Sequence, residues 1–205
     1  MQTFNVFGEV AENSILVPDL AIGLRNNCQG GVWTLGDSPA GGKLHCSILK
    51  FSKWFGDLGS TSNELWGQIF LVAEPGSSED IPDNCVMVSY IKTRSLSDFN
   101  RLIVQLQSKG INPALGVFAP KYIKHSKSLQ DEKTAVYYSL EWHWRERTED
   151  DNSIEKLSEC LQFSDRLIDC QGTAKMQCLD GLSASEIRQI ISGGQQDKLL
   201  VGAES

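Results

Sequence analysis

Polar and apolar residues along this chain follow first a period of two, then one of 3.6, then two again. Leu44 to Trp54 alternates, with Leu44, Cys46 and Ile48 on one side, which predicts a strand with one face inward. Leu65 to Ala73 is nearly continuous apolar sequence, as in a strand buried on both faces. Cys85 to Thr93 sends Val86, Val88 and Tyr90 one way and Met87, Ser89 and Ile91 the other. The period then changes. Leu96, Phe99, Leu102, Ile103 and Leu106 recur at helical spacing and predict an amphipathic helix over 96–109. Ser95 and Asp98 precede it at capping-box spacing, with Asp in place of the usual Glu or Gln, and Lys109-Gly110 followed by Pro113 ends it. Leu115 to Ile123 returns to strand character, and Pro120 marks it as an edge or bulged strand. Residues 124–133 read as a polar loop. Ala135 to Trp144 is a long strand with Val136, Tyr138, Leu140 and Trp142 on one face; Tyr137, Ser139, Glu141 and His143 lie on the other.

The ends of the chain are plainer. Phe4 to Val10 has the composition of a strand, and Val32 to Leu35 is a short strand candidate. Residues 21–31 and 36–43 carry the Asn and Gly of turns. Past residue 150 the pattern is helical. Ile154, Leu157, Leu161 and Ile168 predict a helix over 152–168, behind an acidic run suited to its positive end. Residues 170–182 read as irregular. Ser183 and Glu186 form a capping box that opens a short helix ending at Gly193-Gly194. The expected fold class is therefore α+β and β-rich: an antiparallel OB-like or elaborated barrel with one inserted helix and a C-terminal helical extension. The expected division is a barrel-like domain over 1–150 and the extension over 151–205. Repeating β-α-β order is absent, which argues against a doubly wound parallel sheet.

Composition adds two constraints. Five Trp, four Tyr and eight Phe in 205 residues exclude a disordered chain. The net charge of -7 is unevenly spread: residues 1–89 hold 4 basic and 10 acidic side chains, 90–147 hold 10 and 5, and 148–205 hold 5 and 11. A basic middle thus lies between acidic flanks. The six cysteines form no C-x-x-C pair, no secretory apolar core follows Met1, and no apolar run is long enough to span a bilayer. A cytoplasmic protein with reduced, mostly buried thiols is expected, with no membrane partner.

Motifs for chemistry are few. Gly36 to Lys43 fails as a phosphate loop, because five residues separate Gly36 from Gly42-Lys43 and Leu44 stands where a hydroxyl is needed. His45 and Cys46 are adjacent, so in a strand they face opposite ways and cannot readily share a metal ion. Cys160, Cys170 and Cys178 have no histidine near them in sequence. No metal site, cofactor or catalytic residue is assigned. Glu141 and His143 share one strand face about 7 Å apart, a spacing that suits an acid/base pair or simply a solvent-facing strand.

The basic middle is more telling, because its cations are interleaved with aromatic rings. Bases stack on ring faces and cations follow phosphates, which is what binding of single-stranded nucleic acid requires. The candidate binding residues are Lys92, Arg94, Lys121, Tyr122, Lys124, Tyr137, His143, Arg145 and Arg147. Trp142, in step with Leu140, is assigned to the core.

Three strings also carry a likeness. Tyr90-Ile91-Lys92-Thr93-Arg94-Ser95-Leu96, Asn112-Pro113-Ala114 and Tyr138-Ser139-Leu140-Glu141-Trp142-His143-Trp144-Arg145 resemble an uncharacterised family from cyanobacteria and their mobile elements. That family is similar in layout to phage and plasmid single-strand-binding-like proteins. The resemblance covers about residues 60–150 and transfers no functional residue. The chain ends Gly-Ala-Glu-Ser, without the acidic, phenylalanine-ended tail of housekeeping single-strand-binding proteins. The expected function is non-enzymatic binding of single-stranded DNA or RNA. One alternative is a protein-interaction or self-assembly module acting through residues 152–193. Another is a hydrolase or transferase using Glu141 and His143.

Overall fold

A computed structural model describes residues 14–18, 20–128, 134–162 and 175–201. The expected strand at Phe4–Val10, the end of the expected helix over 152–168 with Ile168, and Cys170 lie outside the described residues. The elements in chain order are β1 (Ile22–Asn27), β2 (Val32–Leu35), β3 (Ser38–Pro39), β4 (Cys46–Leu58), β5 (Thr61–Ala73), β6 (Met87–Lys92), α1 (Thr93–Ser108), a 3-10 turn (Pro113–Leu115), β7 (Val117–Ser128), β8 (Thr134–Arg145), α2 (Ile154–Gln162), β9 (Met176–Cys178) and α3 (Ala184–Val201).

The protein is β-rich, and its strands form one mostly antiparallel sheet in the order β3-β2-β1-β6-β5-β4-β7-β8, with β9 added beside β4. The exception is β1, which runs parallel to β6 through Ile22↔Met87 and Gly23↔Val88. The path is open, with β3 and β8 at its ends, so the sheet does not close into the OB-like or elaborated barrel expected from the order of elements. The β4–β7 ladder consists of a single pair, Cys46↔Phe118. Two positions further along β7 stands Pro120. It has no N–H to offer β4, and from there the β7–β8 hairpin leaves the sheet on its own.

Two corrections concern the ends of elements. Strand character in β7 runs on to Ser128, through residues read as loop, because each of Lys124, His125, Ser126, Lys127 and Ser128 has a cross-strand partner on β8. At the C-terminus, β9 lies within the stretch read as irregular and pairs with Trp54–Gly56 of β4. The capping box at Ser183 and Glu186 is present: the Ser183 N–H donates to Glu186 Oε2 at 2.7 Å, and the Glu186 N–H donates to Ser183 Oγ at 3.4 Å. The helix it opens continues through Gly193-Gly194 to Val201.

The sheet separates two cores. The larger is lined by Leu24, Trp33, Ile69, Leu71, Met87, Ile91, Phe118, Leu140 and Trp142, and α1 presses Leu96 and Phe99 into it. Close approach of α1 requires Gly67 on β5, where an added Cβ would lie 2.9 Å from Leu96 Cδ1 and 2.7 Å from Phe51 Cε2. On the opposite face Phe70, Val72, Val86 and Val88 meet Leu157 and Cys160 of α2. A buried polar cluster ties the end of β5 to the exit of β8. Glu74, only 2% exposed, accepts from Ser47 Oγ, from Arg147 Nη1 at 3.2 Å and from the Asn152 N–H at 2.7 Å.

The contact that joins α1 to the sheet is unusual. As the last strand, β8 has outward N–H groups with no neighbouring strand to receive them. The Tyr138 N–H donates to the Cys28 carbonyl at 2.7 Å, the Leu140 N–H to Ser95 Oγ at 2.9 Å, and the Trp142 N–H to Asp98 Oδ2 at 2.7 Å. Trp142 Nε1 also donates to the Ser95 carbonyl at 3.1 Å. Ser95 and Asp98, spaced as a capping box, therefore serve the edge of β8. The helix begins earlier, at Thr93, with Lys92 as an N-cap that makes no side-chain cap bond. Replacing Ser95 by Ala would leave the buried Leu140 N–H without this acceptor. It should lower unfolding free energy by about 1–3 kcal/mol in urea titrations, the cost of a buried unpaired donor.

Candidate functional site

The seating of α1 against the edge of β8 leaves a groove between the helix and one face of the β7–β8 hairpin. Its volume is about 450 Å³, and its lining includes Arg94, Asp98 and Arg101 from α1 and Ile123, His125, Ser139 and Glu141 from the hairpin. Strand parity explains the hairpin contribution. The pairs Ile123↔Ser139 and His125↔Tyr137 place odd-numbered residues on the groove face, while Tyr122, Leu140 and Trp142 turn to the core.

His125 is the centre of the site. Its Nδ1 lies 3.2 Å from Arg94 Nη1 and its Nε2 lies 2.8 Å from Ser139 Oγ. A guanidinium only donates, so Nδ1 must accept. The ring is then neutral, with its proton on Nε2 and directed at Ser139. This excludes the usual serine activation in this arrangement, since the nitrogen facing the hydroxyl has no lone pair to take its proton. The Tyr137 ring stacks on the His125 ring with centroids 5.0 Å apart and planes at 29°. Both residues are half-buried; Arg94, Lys121 and Lys127 on their side of the hairpin are exposed, as is Lys124 on the opposite face. Among the described residues no ion pair engages those three lysines. Arg101, in contrast, is paired with Asp98.

The residues expected from sequence divide into three groups. Arg94, Lys121, Tyr137 and His143 share the groove side of α1 and the hairpin, although His143 Nε2 is engaged with Glu141 Oε2 at 3.1 Å. Tyr122 and Lys124 lie on the opposite hairpin face. Tyr122 packs against Trp33 and Tyr138 at 5.6 and 6.4 Å, and burial raises its hydroxyl pKa, so it is a core ring. Lys92, Arg145 and Arg147 are held elsewhere. Lys92 Nζ sits over the Trp66 ring at 5.0 Å and donates to Thr61 Oγ1 at 2.8 Å. Arg145 forms a two-pronged pair with Asp151, both contacts 2.6 Å. Arg147 is 11% exposed, and its guanidinium is spent on Glu74, Ser47, Gly116 and Asn152. His125 and Arg101 line the groove without being among the nine binding residues that the sequence predicts. The register of the hairpin carries the missing signal, since pairing Val117–Ser128 with Thr134–Arg145 sets His125 opposite Tyr137.

Comparison with family models, curated proteins and solved structures finds no match for the chain. Among the described residues, no group of three His, Cys, Asp or Glu side chains is arranged to hold a metal ion, and no helix is long and apolar enough to cross a membrane. Burial raises the thiol pKa of Cys28, Cys46, Cys85 and Cys160, which keeps them protonated and weakly nucleophilic.

The Arg145–Asp151 pair gives a pH prediction. Hydrogen bonds from Arg145, seconded by those from Thr148, hold the Asp151 carboxyl well below the usual carboxylate range despite its burial. A depressed folded-state pKa adds stability that is complete above the unfolded value, near 3.9, and is lost as pH falls below it. Asp151→Asn should therefore lower the urea midpoint at pH 7, and the gap from the parent protein should narrow progressively below about pH 4.

Proposed function

We propose that the groove between α1 and the β7–β8 hairpin binds single-stranded nucleic acid without catalysing a reaction on it. The observation that carries this reading is the half-buried His125–Tyr137 stack, bordered by the exposed cations Arg94, Lys121 and Lys127 and, on the far hairpin face, Lys124. An unpaired base can extend the ring stack, and phosphates on either side can meet the cations. Arg94 supplies a planar fork for phosphate oxygens, and the lysines act as mobile point charges along the hairpin. Duplex DNA fits less well, because its bases offer no free faces to the stack.

The acidic members of the groove limit this affinity. Glu141 stands directly across from Lys121, and Asp98 is already bound to the Trp142 N–H and Arg101. The net charge of -7 further opposes contact outside the basic hairpin. Binding is therefore local and depends on the stack as well as on charge.

Three or four phosphate contacts give a slope of log K against log salt of about -2 to -3 for a single strand. Fluorescence anisotropy of a labelled oligodeoxythymidylate at several salt concentrations measures it. Tyr137→Ala should weaken binding by about 1–3 kcal/mol, roughly 5- to 150-fold, with little change in that slope. No binding at low salt, or equal binding by the Tyr137 variant, would remove the basis of the assignment.

A further inference from the structure

We infer that Arg94 and His125 form a phosphate subsite whose occupation draws one proton onto His125, so that strand binding tightens as the pH falls through the imidazole range. This rests on the groove being the strand-binding site. In the structure the Arg94 guanidinium donates toward Nδ1 of His125 at 3.2 Å, while Nε2 donates to Ser139 Oγ at 2.8 Å. Phosphate oxygens only accept. A phosphate that takes the Arg94 N–H group leaves Nδ1 without a donor and sets its lone pair against an anionic oxygen. Protonation converts Nδ1 to a donor and replaces that repulsion with a charge-assisted hydrogen bond.

The surroundings set the direction. From α1, His125 faces Arg94, Asp98 and Arg101; from β8 it faces Tyr137 and Glu141; on its own strand Lys121 and Lys127 share its face. The two carboxylates are engaged, Asp98 with Arg101 and the Trp142 N–H, and Glu141 with His143. Without an anion, an imidazolium here would stand directly against the Arg94 guanidinium with donor facing donor. With a phosphate between them both cations are matched. The nucleic acid thus carries the counter-charge that stabilises the imidazolium, and by linkage the proton in turn strengthens binding of the nucleic acid.

Uptake of one proton changes affinity by up to about tenfold per pH unit between the free and bound pKa values. In anisotropy titrations at fixed ionic strength, the Kd for a labelled oligodeoxythymidylate should fall by roughly tenfold from pH 7.5 to pH 6. That slope should vanish in His125→Gln and persist in His143→Gln. A parent protein with a flat profile, or a slope kept in His125→Gln, overturns the proton-coupled subsite while leaving strand binding intact. Absence of binding at every pH overturns both. Should His125→Gln melt early, the imidazole resonances of the parent protein decide. Addition of the oligonucleotide at pH 7 should move His125 to the imidazolium shift, and an unmoved resonance refutes the proposal.

Discussion

Three backbone N–H groups on the outer edge of β8 govern this molecule. A terminal strand normally leaves such donors to water or to another chain. Here Tyr138, Leu140 and Trp142 give theirs to Cys28, Ser95 and Asp98, which belong to the β1–β2 turn and to the first turns of α1. The two outer parts of an open sheet are thereby drawn together over a common core without a continuous ladder. Gly31 makes room for this at the turn: its φ of +66° is in the left-handed region, and an added Cβ would lie 2.8 Å from the Tyr138 ring. These edge donors are taken by two side chains and a turn carbonyl instead of by a neighbouring strand.

The groove follows from the same contact. Asp98 receives the Trp142 N–H on one oxygen and holds Arg101 on the other, so the residue that docks the helix also orients a groove cation. At the start of α1, Thr93 adopts φ +47°, a costly conformation for a β-branched residue. On one side of it Lys92 reaches Trp66 and Thr61, and on the other Arg94 reaches His125. Two cations separated only by Thr93 are thus directed to different surfaces, and only Arg94 contributes to the groove.

Periodicity made most of the fold legible. The amphipathic stripe of α1, the doubly buried run in β5 and the inward face of β8 at Leu140 and Trp142 all appear where alternation places them. Local signals misled where a tertiary partner took over a side chain. Ser95 and Asp98 look like a cap until the amides of β8 are known to need acceptors. The stretch of β1 has the look of a turn because Asn26-Asn27 and Gly30-Gly31 close it, and only its pairing with β6 and β2 makes it a strand. The candidate site was legible in kind and less so in membership. Charge and aromatic content marked residues 90–147, but Arg147 is consumed by Glu74 from 73 positions away, and Tyr122 fills the core. Ion pairs between distant parts of the chain leave no trace in local composition.

The placement of β9 has a consequence for biosynthesis. β4 is a long strand whose stretch Trp54 to Gly56, near its far end, is paired by Met176–Cys178, over a hundred residues later in the chain. During translation that stretch of β4 leaves the ribosome long before β9 exists, and it must wait with one edge bare. Such an interval favours capture by other nascent chains and slows the final closure of the sheet. The helical C-terminal region therefore acts late, sealing a seam that the preceding strands cannot close by themselves.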